Sequence, residues 1–142
     1  MDLDEFHNII GKTIMHCQII EHDIKRIYAS MLKGDYFDNL IKVEKWSLGR
    51  TIKNLKELDF SDKKPYLSAS DYNFLMQMTE KRNHWCHEAY QNFIYNKEFL
   101  NSKEYLDECY KLQRDYDRLS QVSKNVEDVR IEIQKKLSRV QL

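Results

Sequence analysis

A chain of 142 residues, 42% hydrophobic and 32% charged, is long enough to bury a core in one domain and has neither a disordered nor a membrane-spanning composition. Its 23 basic and 23 acidic residues cancel, which excludes bulk attraction to nucleic acid and leaves phosphate recognition to local sites. Three glycines and one proline are too few turn residues for a β-rich domain, so an all-α fold is expected.

The N-terminus, Met1-Asp2-Leu3-Asp4-Glu5, is acidic where a secretory leader is basic. The apolar runs are only a few residues long, so no membrane span is expected. Cys17, Cys86 and Cys109 are odd in number and lack CxxC spacing, which points to reduced thiols and a cytoplasmic setting.

The first segment, about Leu3 to Leu32, carries Leu3, Ile10, Cys17, Ile24 and Met31 at intervals of seven, with Phe6, Thr13, Ile20 and Ile27 between them. That spacing predicts a long helix with one continuous packing stripe. Gly34 supplies a C-terminal stop and Asp35 an N-cap. A short helix follows over Tyr36 to Lys45, and Ser47 opens another through Leu58, with Leu48, Ile52, Leu55 and Leu58 on one side. Residues 59 to 67 form the clearest loop. Its basic pair, Lys63-Lys64, is read as solvated. Ser68 with Asp71 resembles a capping box and starts a helix from Ala69 to about Tyr95. Asn101 with Glu104 marks the start of the last segment. From Ser102 to Leu142 there is no glycine or proline, and Leu112, Leu119, Val126, Ile133 and Val140 recur at seven, with Val122 and Val129 beside them. One helix over that span would reach ~60 Å, against ~45 Å for the first. Either it breaks near Ser120–Ser123, or its end projects to meet another chain. A seam packed within its own bundle is the simpler reading of the repeat.

Chemistry concentrates in the segment from residue 69 to 95. On a helical wheel with Tyr72 at zero, Asn73, Gln77, Glu80, Lys81, His84, Glu88 and Gln91 fall between about 80° and 180°, a solvated face. The apolar residues, including Met76, Trp85, Cys86, Tyr90 and Ile94, fill an arc of about 220°, so the helix is expected to be covered on more than one side. Arg82 falls inside that arc at about 280°, Asn83 at about 20°, and His87 on its edge at about 60°. A buried arginine needs an anion, a carboxylate or a polar cleft. One reading is structural: Arg82 pairs with a buried acid and His87 bonds a carbonyl. The other is functional, because local rule-breaking of this kind marks sites.

Arg82-Asn83-His84-Trp85-Cys86-His87 resembles the R-x4-6-H signature of HEPN domains, in which the residue after the arginine is usually Asn, Asp or His. Ser47-Leu48-Gly49-Arg50-Thr51-Ile52 looks like the short helix that many such bundles place before the motif helix. The resemblance implies a single HEPN-like helical domain over residues 1–142, an up-and-down bundle of four to five helices with long first and last helices. Many members of the family are metal-independent endoribonucleases that act as homodimers, with two motif helices facing each other. Carried over, Arg82 is the phosphate clamp, His87 the general base or acid, and Asn83 the orienting hydrogen-bonder, with His84, Trp85 and Tyr90 in support. The implied partner is RNA, in a toxin, defence or stress role, with an antitoxin or nucleotidyltransferase as a further partner. No cofactor is implied. The alternative is a non-catalytic interaction or nucleotide-binding module in which Arg82 and His87 stabilise a dimer.

A toxin subgroup continues as H-x-Y, its tyrosine being the target of the nucleotidyltransferase. Here Ala89 holds that place and Tyr90 follows it, on the buried face near Asn83, where packing is its expected role. His84, Cys86 and His87 also invite a zinc reading. However, no second ligand pair at zinc spacing exists, and the wheel sets His84 and Cys86 about 200° apart. His16 and His22 on the first helix are read as surface or seam residues.

Overall fold

Five side chains set the starts of five helices. Asp2, Asp35, Ser47, Ser68 and Ser102 each accept a hydrogen bond from the backbone N–H three residues on, at Glu5, Asp38, Arg50, Asp71 and Tyr105, so each first turn has a partner for a donor the helix leaves unpaired. The computed structural model describes residues 1–137. The helices are α1 (Leu3–Met31), α2 (Tyr36–Glu44), α3 (Leu48–Phe60), α4 (Ala69–Asn83) and α5 (Lys103–Lys136). No strand occurs among the described residues, and no helix there is long and apolar enough to cross a membrane. The chain is all-α, with its long first and last helices packed together.

The two heptad seams account for that packing. Ile10, Cys17, Ile20, Ile24 and Ile27 of α1 are buried, as are Leu112, Leu119, Val122, Val126, Val129 and Ile133 of α5. The last segment is one unbroken helix to Lys136, with no break at Ser120–Ser123, and its seam is filled by its own chain. Val140 lies outside the described residues. Gly34, at φ +100°, takes the left-handed conformation that ends the α1–α2 connection, which a side chain would strain. The last helix begins one residue later than expected. Ser102 is its cap, and Asn101 lies in a short 3-10 turn, Phe99–Asn101.

The core has two parts. The larger joins α1, α3, α4 and the C-terminal half of α5. The smaller is aromatic and sits where the start of α1 meets the start of α5: Phe6, Ile10, Trp85, Ala89, Phe93, Tyr105, Cys109 and Leu112. Phe6 is its hub, with its ring 5.5–6.5 Å from those of Trp85, Tyr90, Phe93 and Tyr105.

The largest departure from the sequence reading falls here. The expected helix to Tyr95 stops as an α-helix at Asn83, passes into a π-helical turn over His84–Glu88, and continues as turns to Phe99–Asn101. No glycine or proline marks the change.

Candidate functional site

Two carboxylates seven residues apart on α5, Glu108 and Asp115, are buried and point at the π turn. Asp115 accepts from Lys81 Nζ at 2.9 Å and from the indole Nε1 of Trp85 at 3.0 Å, one on each oxygen. Glu108 faces His84 Nε2 at 2.8 Å and accepts from Asn92 Nδ2 at 3.4 Å. The other ring nitrogen of His84, Nδ1, lies 3.5 Å from Glu88. Carboxylates in such a setting must find donors. Lys81, His84 and Trp85 are spaced i, i+3 and i+4 and so share one helix face, the face that meets these carboxylates. The π turn begins at His84, directly after α4, and π insertions of this kind gather at functional sites.

This network corrects several expectations. Lys81 and His84 do not lie on a solvated face; the side chain of His84 is only 14% exposed. Trp85, given a supporting role at the motif, is buried inside its own chain. In the opposite sense, Asn83 and Cys86, expected within the apolar arc, are exposed, and so are Met76 and Ile94. The apolar arc of the wheel is therefore covered over much less of its width than its composition suggests. Tyr90 packs edge-on against Phe6 and Phe93, its hydroxyl bonded to His7 Nδ1. Burial raises its phenol above the usual tyrosine range.

Arg82 is not buried as expected. Its side chain is 30% exposed, and Nη1 donates to Glu21 Oε2 of α1 at 3.1 Å. Next to it lies Cys17, whose thiol burial pushes up to about 12, against a lowering pull from Arg82 itself. His87 is exposed. Among the described residues, its ring has no hydrogen-bond partner, while its backbone carbonyl accepts from Gln91. In an unbroken α-helix Arg82 and His87 would lie about 140° apart around the axis. Asn83 and His87 are exposed and Arg82 is part-exposed beside α1, while Lys81, His84 and Asn92 are taken up by α5.

The signal for this division was present in the sequence. Glu108 and Asp115 occupy the heptad position of Val122 and Val129, so two acids stand in an apolar seam. No group of three or more metal-ligating side chains occurs among the described residues. The three cysteines are free, Cys17 and Cys109 buried and Cys86 exposed. Comparison with protein-family models, with curated proteins and with solved structures yields no match.

Proposed function

We propose that the chain is a metal-independent endoribonuclease of the HEPN type, acting as a homodimer. The observation that carries the reading is the division of labour at the π turn. His84, Trp85 and Lys81 are tied to α5, whereas of the R-x4-H motif Asn83 and His87 are exposed and Arg82 is part-exposed at the rim with α1. In this reading a histidine accepts the proton of an RNA 2′-hydroxyl as that oxygen attacks the phosphorus. The second copy's histidine, protonated, gives a proton to the departing 5′-oxygen. The products are a 2′,3′-cyclic phosphate and a 5′-hydroxyl. Arg82 holds the phosphate and balances the charge that builds on it, and Asn83 orients the reacting groups. A histidine and an arginine suffice for these steps. The exposed Met76 beside this side of α4 gives a second copy an apolar surface to cover. A toxin or defence role, with an antitoxin or nucleotidyltransferase partner, belongs to the same proposal.

Incubation of the purified protein with RNA, with and without EDTA, is the test. Cleavage that persists in chelator and leaves cyclic phosphate ends supports the reading. Activity lost with chelation, or unchanged in His87→Ala, overturns it. A second reading, a non-catalytic interaction module, is favoured by the Arg82–Glu21 pair, which gives the arginine a partner inside its own chain. It predicts a dimer that leaves RNA intact.

A further inference from the structure

The pair of Arg82 and Glu21 has a feature that a purely structural ion pair does not need. Both side chains are 30% exposed, so the pair sits at the rim between α1 and α4, where a mutual contact adds little to stability. Glu21 has a second cation within reach: Lys25 Nζ is 3.8 Å from Oε1 and is itself anchored to the carbonyl of Glu44 at 3.1 Å. Were Arg82 to turn away, Glu21 would keep a counter-ion. The thiol of Cys17 beside them stays protonated near neutral pH and adds no charge.

These facts describe an exchangeable arginine. A phosphate approaching from solvent competes with one carboxylate for the guanidinium, whose fork suits either group. Its success leaves no buried charge stranded, which is the cost that makes most pairs hard to break. Resting on the ribonuclease reading, we infer that Glu21 is a positioning residue for Arg82. In the free protein it holds the guanidinium in place, and it sets the affinity for the RNA phosphodiester by competing for the same donors. A group held ready in this way loses less freedom on binding. The competition in turn weakens ground-state binding.

The experiment uses the full chain as wild type, Glu21→Gln, Glu21→Asp, Arg82→Gln and the double variant Glu21→Gln/Arg82→Gln. Each is titrated with a short oligoribonucleotide blocked by 2′-O-methyl groups, then assayed for kcat and KM on the unblocked RNA. Glu21→Gln removes the competing charge and is expected to bind about two- to fivefold tighter, in keeping with a part-exposed pair. KM falls with it, and kcat also falls because Arg82 loses its fixed place. Glu21→Asp keeps the charge and restores part of kcat, an effect that a merely structural role would not produce, and it serves as the probe if the glutamine variant is poorly folded. In the Arg82→Gln background, Glu21→Gln changes neither affinity nor KM. If wild type binds RNA through Arg82 but neither Glu21 variant alters affinity, KM or kcat, the positioning role falls and the ribonuclease reading stands. The positioning role falls equally if Glu21→Gln has the same effect with and without Arg82. If neither wild type nor any variant binds or cleaves RNA, both fall together.

Discussion

Trp85 donates its indole N–H to Asp115 at 3.0 Å across the gap between the π turn and α5, and this bond ties the motif segment to α5 from inside the core. The indole lies in the aromatic end of the core, and Lys81 takes the second oxygen of the same carboxylate. Lys81 and Trp85 are four residues apart and so reach this one carboxylate from a single helix face, while Asn83, Cys86 and His87 are exposed.

Asp115→Ala tests that dependence. It strands the Trp85 N–H in the core and leaves Lys81 without its partner, so unfolding by urea is expected to become easier by roughly 2 to 4 kcal/mol. Asp115→Asn keeps an acceptor for the indole and is expected to cost less. A neutral result for Asp115→Ala would mean that the π turn is held by its aromatic packing alone.

Arg82→Ala is expected to behave differently. Its pair with Glu21 is part-exposed, so stability should change by less than about 1 kcal/mol, while RNA binding and cleavage are lost. Thermal melts with and without a blocked RNA read both effects. A variant that melts many degrees lower, beside a parent whose melting temperature RNA does not move, would return Arg82 to a structural role.

The cysteines report on burial directly. Alkylation by iodoacetamide under native conditions is expected to modify Cys86, which is exposed, and to spare Cys17 and Cys109, which are buried. The Cys17 thiol is doubly protected, since burial pushes it up to about 12 and only the thiolate reacts. Peptide mapping after a short labelling pulse checks the order, and early labelling of Cys17 would contradict the α1–α4 packing described here.

His16 gives the stability a pH dependence of known sign. Burial lowers its pKa below the ordinary 6.5, its ring packs against Tyr116, and its Nδ1 is buried with no partner among the described residues. The folded chain therefore prefers the neutral ring. The unfolded chain binds more protons just below pH 6.5, so this contribution is complete above that pH and is lost as pH falls through the window beneath it. Denaturant melts between pH 7.5 and 5 are expected to show a decline that is shallower in His16→Phe.

Assembly can be measured without substrate. The proposed ribonuclease needs two copies, so light scattering at tens of micromolar is expected to give a dimer. Met76→Lys, at an exposed position on α4, is expected to weaken it without unfolding the monomer. A strict monomer would remove the second histidine from the mechanism.

Much of the fold was legible in the sequence. Scarce glycine and proline set the fold class. Heptad repeats gave the buried faces of α1 and α5, because a helix repeats a face every two turns whatever it packs against. Asp35, Ser47 and Ser68 gave three helix starts, because a cap acts within one turn of its own backbone. The motif segment lay beyond such reasoning. A wheel shows that Lys81, His84 and Trp85 share a face, but not what that face meets, and it meets Glu108 and Asp115, two buried carboxylates whose partners His84 and Trp85 lie 24 and 30 residues away in sequence. Which polar residues were used inside, and which were left at the surface, therefore depended on a long-range pairing. Local periodicity placed Arg82 in the core and His84 in water. Tertiary structure reversed both, because a buried carboxylate must be satisfied and a guanidinium that finds its own carboxylate at the rim need not be buried.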